Sequence, residues 1–483
     1  MNTICAISTP PGIGGIAVIR VSGPDAIDAC DYIFFPFQSS HYLNTRPTHT
    51  LTFGKIVNPE THEVIDEVVV SLFRAPHSFT GEDVVEISCH GSIFIQQELL
   101  HVLTRCCDVR MAEPGEFTRR AFANGRMDLS QAEAVADLIS SQNAAAHRLA
   151  FSQMKGSISN KLDLLHDQLL QLSSLLELEL DFSEEDVEFA DRSQLLSIAQ
   201  QIDDEVVRLS DTFRTGQAIR NGIPVAIIGE TNVGKSTLLN HLLGDERAIV
   251  SDVHGTTRDV IEDTIILDGQ SVRFIDTAGI RNTNDQIENL GIERTYQRLE
   301  RAQVVLWLID GTRLADDAKV EQCVSDTLYV YRCIEPYIHD QRLILVINKV
   351  DLVDSDQLSL HLSYLLDLLS QTIQDPSLSL NYVTISAKHE MGFSELRKAL
   401  TKATRLPQAQ GDVILTNKRH YEAMQMAHEA LQHVLSGLLT QISGDLIAED
   451  LRMVIDSLNS VLGRSITSEE TLNNIFKNFC IGK

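Results

Sequence analysis

The chain has no C-x-x-C pair, no apolar run approaching the roughly 20 residues that span a bilayer, and no basic-then-apolar leader at its start. Its eight cysteines are scattered at positions 5, 30, 89, 106, 107, 323, 333 and 480. That spacing does not suggest zinc and reads most simply as reduced cytosolic thiols. The closing Cys480-Ile-Gly-Lys483 puts a cysteine where a prenylation box would have it, but glycine and a terminal lysine fit that box badly. Positive charge is scarce. Forty Lys and Arg face 67 Asp and Glu, for a net charge of −27. This argues against strong non-specific binding to nucleic acid by phosphate neutralisation, and leaves room for local basic patches or a basic partner. No internal repeat is visible. A cytoplasmic protein without a membrane span is expected.

Against these absences stands Gly229-Glu-Thr-Asn-Val-Gly-Lys-Ser236, which matches the phosphate-binding loop G-x-x-x-x-G-K-[ST]. Pro224-Val-Ala-Ile-Ile228 reads as the buried strand leading in, and Thr237-Leu-Leu-Asn-His-Leu-Leu-Gly244 as the helix leading out. Backbone N–H groups and the positive helix end make an anion cradle. Lys235 is assigned to the outer phosphates and the Ser236 hydroxyl to Mg²⁺.

Companion motifs follow in order. Thr257 in Gly255-Thr-Thr-Arg-Asp259 is the second candidate magnesium ligand. Asp276-Thr277-Ala278-Gly279 follows the strand-like Val272-Arg-Phe-Ile275; Asp276 would hold a magnesium-bound water and Gly279 a γ-phosphate oxygen. Asn348-Lys349-Val350-Asp351 follows Leu343-Ile-Leu-Val-Ile347, and Ser386-Ala387-Lys388 follows Asn381-Tyr-Val-Thr-Ile385. The Asp351 carboxylate only accepts hydrogen bonds. Guanine offers N1–H and N2–H₂ side by side, adenine does not, and a carboxylate left unpaired rejects the wrong base. The set therefore predicts GTP binding. Ile280 follows Gly279 directly, where many GTPases place a water-orienting glutamine nearby. An apolar side chain cannot orient water. Glu288 is either the carboxylate that does so or a solvated helix residue, and Asn232 either a cation ligand or a loop-forming residue.

At 483 residues, 43% of them hydrophobic, the chain has length for about three domains. Residues 1–120 mix strands such as Ala17-Val-Ile-Arg-Val21 with turns such as Thr9-Pro-Pro-Gly-Ile-Gly-Gly15. Residues 121–215 turn to helical spacing, 216–405 form the Ras-like GTPase segment, and helical patterning returns over 406–483. The expected fold is multidomain: an α+β N-terminal domain, an all-α helical domain in two halves, and an α/β P-loop GTPase domain inserted between them.

This layout resembles the MnmE (TrmE) family of tRNA-modification GTPases along nearly the whole chain. The resemblance rests on Thr9-Pro-Pro-Gly12, Ser78-Phe-Thr-Gly-Glu-Asp-Val-Val-Glu86 with His90-Gly91, Pro114-Gly-Glu-Phe-Thr118, Asn124-Gly-Arg-Met-Asp-Leu129, Ile475-Phe476 and the tail Phe479-Cys-Ile-Gly-Lys483. It implies an N-terminal domain that drives homodimerisation and binds a reduced folate, 5,10-methylenetetrahydrofolate with 5-formyltetrahydrofolate as its analogue, through Arg20, Glu86, Arg126 and Lys483. Cys480 would be a functional thiol. It implies K⁺ activation, with Asn232, Ser251, Val253 and Thr256 as ligands. GTP contacts would extend over Asn232, Val233, Gly234, Lys235, Ser236 and Thr237, and over Ser251, Asp252, Val253, His254, Gly255, Thr256 and Thr257. Glu288 would be the catalytic carboxylate. A flavoprotein partner, GidA (MnmG), would bring FAD and NADH in a heterotetramer that modifies C5 of the wobble uridine of certain tRNAs. Ile13 and Glu113 stand where the family usually has Arg, and Arg126 replaces a more frequent Lys. The first two remove positive charge near the folate site, and the third changes geometry while keeping charge.

Two rivals remain: a ribosome-assembly GTPase, which predicts a basic RNA-binding appendage, and a non-enzymatic switch that binds a protein partner. The helical, partly acidic C-terminal zone counts against the first. If Glu288 acts on water, Glu288→Ala retains GTP binding and loses hydrolysis; unchanged turnover in a phosphate-release assay would remove it from that role.

Overall fold

The computed structural model describes residues 2–37, 42–181, 192–244, 263–275, 299–338, 342–373, 379–405, 413–440, 442–465, 472, 475–476, 479 and 482. By contact density the chain divides into one unit of residues 1–140, 150–207 and 419–483 and another of 141–149 and 208–418.

The first unit opens with a sheet of seven strands: β1 (Thr3–Ile7), β2 (Ala17–Ser22), β3 (Phe34–Pro36), β4 (Thr50–Val57), β5 (Val64–Phe73), β6 (Val84–Cys89) and β7 (Val109–Met111), in the order β3-β4-β5-β6-β2-β1-β7. Only β1 and β7 pair in parallel. Strict alternation explains why this sheet has two different faces. On β5, Asp66, Val68, Val70 and Leu72 are buried while Glu67 and Val69 point out. The buried side packs on helices Ala26–Ile33 and Ile93–Cys106, with Ile19, Val21, Val85, Ile87, Leu99 and Leu103 fully enclosed. The opposite side carries a smaller cluster, Ile4, Ala6, Ala112 and Phe117, next to Phe79. The β2–β6 register sets Arg20 directly opposite Glu86 on that side.

The helical part of this unit is written in heptads. Helix Ser157–Asp181 buries Leu162, Leu165, Leu169, Leu172 and Leu176. Helix Arg192–Asn221 buries Leu195, Ala199, Ile202 and Val206 within this unit, helix Lys418–Thr440 buries Met424, Ala427, Leu431, Val434 and Leu438, and helix Gly444–Leu462 buries Ile447, Leu451, Val454, Leu458 and Val461. Spacing that alternates three and four gives each helix an apolar seam, as in bundles.

A buried ionic knot ties helix Leu129–Ser140 to the C-terminal helices. Arg419 donates to both oxygens of Glu133 at 3.0 and 2.9 Å, and His420 Nε2 lies 2.7 Å from Glu133 Oε2. Arg419 also donates to the carbonyls of Ser460 and Val461, closing the last turn of helix Gly444–Leu462. Burial alone would push the Glu133 carboxyl up; the charges of His420 and Arg419 override it and hold the group at about 2.

The second unit holds a six-stranded sheet: β8 (Ile223–Gly229), β9 (Asp263–Leu267), β10 (Gln270–Ile275), β11 (Val304–Asp310), β12 (Arg342–Asn348) and β13 (Ser379–Thr384), in the order β13-β12-β11-β8-β10-β9. All neighbours are parallel except the β9–β10 hairpin. The runs Val304–Ile309 and Leu343–Ile347 are buried throughout, as strands covered on both faces must be. Helices Lys235–Gly244 and Phe393–Ala403 cover one face, Val320–Ile334 and Ser355–Thr372 the other. The observed architecture is the expected one: α+β, all-α and α/β P-loop parts. Among the described residues no helix is long and apolar enough to cross a membrane.

Glu133→Gln leaves Arg419 and His420 facing a neutral group, at a cost to this unit of about 3 kcal/mol at neutral pH. The folded carboxyl titrates near 2 and an unfolded one near about 4.3, so its stabilisation is complete above the higher value and is lost as pH falls through the lower. Urea midpoints of the two proteins should therefore differ at pH 7 and converge towards pH 2. Equal midpoints at pH 7 would contradict the role given to the knot.

Candidate nucleotide-binding site and N-terminal cleft

Strands β8, β11, β12 and β13 run parallel, so the residues that follow them gather on one edge of the sheet, with β8 at the point where the chain branches to both sides. The loop after β8 needs unusual backbone. Gly229 has φ 146°, Asn232 φ 61° and Gly234 φ 105°. A Cβ on Gly229 would lie 2.6 Å from the Leu308 carbonyl oxygen, and one on Gly234 would lie 2.3 Å from Asn348 Nδ2. Lys235 curls over the loop, its Nζ donating to the Gly229 and Glu230 carbonyls at 2.5 and 2.6 Å. Burial lowers its pKa and Glu230 opposes that. Ser236 and Thr237 are exposed in the first turn of the helix, and Val233 is buried beneath it.

Asn348 joins three motifs. It is 2% exposed. Its amide donates to the Val233 carbonyl at 2.7 Å and accepts from the Ala387 N–H at 2.9 Å. Lys349 adopts φ 66° and reaches Asp310 Oδ2 at 2.6 Å. Asp310 ends β11 beside Asn348 and caps the next turn by accepting from Thr312 N–H. Burial would raise its pKa, and the bond from Lys349 holds it low. Asp351 stays below the ordinary carboxylate range, first through the hydroxyl of Ser386. His389 Nε2 lies 3.6 Å from Asp351 Oδ2. The Ser386-Ala387-Lys388 loop is folded back by reciprocal backbone bonds between Ser386 and Met391 at 3.0 and 3.2 Å. This edge thus presents a phosphate-loop backbone, an ammonium group and an ionised acceptor, a set suited to a guanine nucleotide.

Sequence patterns did not single out the ion chain behind the loop. Arg313 pairs with Glu230 of the loop and, at 2.7 Å, with Asp326. The available signal was Asp310-Gly-Thr-Arg313 directly after an apolar strand. Ser251, Asp252, Val253, His254, Gly255, Thr256, Thr257, Asp276, Thr277, Ala278, Gly279 and Glu288 lie outside the described residues. β10 ends at Ile275, one residue before Asp276, and its last pair is Ile275 with Ala226 of β8.

In the first unit, Arg20 and Glu86 meet. Arg20 Nε and Nη2 lie 2.9 and 2.8 Å from Glu86 Oε1. The Arg20 guanidinium also sits over the rings of Phe79 at 5.3 Å and Phe117 at 5.7 Å. Its Nη1 donates to the Gly482 carbonyl at 3.3 Å, which Ser8 Oγ also approaches at 3.1 Å. Gly482 is at φ 93°, and a Cβ there would lie 2.3 Å from the Ile7 carbonyl oxygen, so only glycine fits at this position. Arg126 lines a cavity of about 460 Å³ with His49, Phe73, His77, Ser78 and Phe79. Phe79 is shared: it lies under the Arg20 guanidinium and lines the same cavity as Arg126. His49 and His77 were not foreseen. Lys483 and Cys480 lie outside the described residues. Of the two departures in charge, Ile13 is 85% exposed and Glu113 faces Arg119 at 3.4 Å.

Comparison with known proteins places these features in context. Residues 3–126 match the family model described as "GTP-binding protein TrmE N-terminus", and residues 129–480 match "MnmE helical domain". The chain is 51% identical over 485 residues to the tRNA modification GTPase MnmE of Parabacteroides distasonis, with all of both chains covered. It is 52% identical over 483 residues to that of Bacteroides fragilis, covering all of this chain and 99% of the other. The Porphyromonas gingivalis protein of the same name is 46% identical over 486 residues, with 100% and 98% covered.

Asp351→Asn replaces an acceptor by a group that also donates. GDP affinity should fall roughly 100-fold, the scale of losing charge-assisted hydrogen bonds, and xanthosine diphosphate should bind in its place. Competition binding with both nucleotides checks this; unaltered GDP affinity would exclude Asp351 from base recognition.

Proposed function

The chain belongs to the MnmE (TrmE) family of tRNA modification GTPases, and on that footing we propose that it hydrolyses GTP to drive modification of the wobble uridine of certain tRNAs. The observation that carries the GTPase part is Asn348, which joins the phosphate loop to the Ser386-Ala387-Lys388 loop and sets Asp351 beside them. The loop N–H groups and Lys235 would hold phosphates, and Ser236 with Thr257 would hold Mg²⁺. A K⁺ ion held by Asn232, Ser251, Val253 and Thr256 would offset charge developing in the transition state, the task of an arginine finger elsewhere. Glu288 would position the attacking water.

The Arg20–Glu86 pair and the cavity bearing Arg126 support a reduced-folate site in the N-terminal domain. Aromatic walls at Phe73 and Phe79 suit a flat pterin ring, Arg126 suits an anionic tail, and Gly482 lies against Arg20. Bound folate would supply the one-carbon unit. FAD and NADH would come through GidA (MnmG), which acts with a homodimer of this chain to place an aminomethyl or carboxymethylaminomethyl group at C5. The cytoplasm is the proposed site of action. The divisions at residues 120, 215 and 405 are retained as proposed domain boundaries.

Mass spectrometry of tRNA nucleosides from cells with and without this chain tests the reading. Loss of the C5-modified wobble uridines is the expected result. Unchanged nucleosides, with a redundant enzyme excluded, would favour the ribosome-assembly alternative.

A further inference from the structure

A second concave site lies at the other end of the six-stranded sheet, by the amino ends of its parallel strands. It is a cavity of about 500 Å³ formed by the last turns of helix Arg192–Asn221, the start of β8, β10 and the residues that enter β11. Three guanidinium groups, Arg214, Arg273 and Arg301, line it against a single carboxylate, Glu300, and Phe213 adds an aromatic wall. Arg301 is exposed, and no hydrogen bond or ion pair with another described residue holds it. In a chain of net charge −27 this local excess of positive charge is unusual.

We propose that this cavity binds the phosphate of a nucleotide unit, either free or within an RNA strand. Guanidinium forks match phosphate oxygens in pairs. The side-chain amide of Gln303, which also lines the cavity, adds a neutral donor, whereas that of Gln217 already donates to the Thr416 carbonyl at 2.7 Å. The volume exceeds what a bare phosphate fills and falls within the range of small-molecule sites. An acidic surface repels a polyanion elsewhere, so a phosphate that approaches is drawn to this concavity. The site is separate from the phosphate loop, which follows the carboxyl end of β8. It also borders the described residues on either side of 276–298, namely β10 and the helical residues 299–301. A ligand bound there contacts both, together with the helix that leads into β8.

The test uses the full chain saturated with Mg·GDP, so that the phosphate loop is filled. AMP, which a guanine-specific site rejects, and an unmodified tRNA transcript are titrated in turn into the parent protein, Arg301→Gln and Arg214→Gln. The expected result is about a tenfold loss of affinity in each variant for at least one probe. If the tRNA is the probe affected, the slope of log affinity against log salt also falls by about one per arginine, and the phosphate belongs to RNA. If AMP is affected, the ligand is a free nucleotide. Equal affinities across the three proteins, or no binding of either probe to the parent, would overturn the site. GDP affinity, expected unchanged, verifies that the variants are folded. The inference does not depend on the wobble-uridine chemistry, because nucleoside analysis can fail while the arginine effect stands.

Discussion

One buried side chain organises the nucleotide edge of this protein. Asn348 gives its amide hydrogen to the phosphate loop and takes one from the Ala387 backbone, so two loops separated by more than a hundred residues share a single polar group. A buried amide is costly unless satisfied on both sides. Moving either loop therefore strands it. The same residue explains why Gly234 tolerates no side chain, since a Cβ there would lie 2.3 Å from the amide nitrogen, and why Gly311 is small, since a Cβ there would lie 2.7 Å from the Asn348 carbonyl oxygen. The ion pairs of Lys349 with Asp310 and of Arg313 with Glu230 and Asp326 tether the remaining loops around it.

The first unit is held differently. Its sheet is mostly antiparallel and packs its larger core against helices on one face, and the side that carries Arg20, Glu86 and Phe79 has only the smaller cluster of Ile4, Ala6, Ala112 and Phe117. Arg20 cannot be treated as a free cation awaiting an anionic ligand. It is already paired with Glu86, stacked over two rings, and bonded to the carbonyl of Gly482. These contacts bring Gly482 to β2, and Arg126 is the guanidinium that lines the cavity.

Local patterns carried the reading of motifs a long way. The phosphate loop and Asn348-Lys-Val-Asp351 were legible because each follows a buried strand marked by an apolar run of five or six residues, and Ser386-Ala-Lys388 because it follows a strand-like run that alternates polar and apolar residues. The alternation in β5 and the heptads of the helices were legible for the same reason: one side of each element had to be dry. What escaped were groups that acquire meaning only from distant partners. Glu133 looks like any exposed helical glutamate until Arg419 and His420 arrive from 286 and 287 residues away. Asp310, Arg313, His49 and His77 belong to no motif. Their roles come from the strand order and the turns, which the sequence does not display directly.

The most direct test of the account is GDP affinity of Asn348→Ala in the full chain, with its helical content monitored by circular dichroism. If this amide holds the guanine edge together, affinity falls by roughly 100-fold or more, as expected for stranding buried polar partners, with secondary structure retained. Wild-type affinity in a folded variant would contradict the central place given to Asn348.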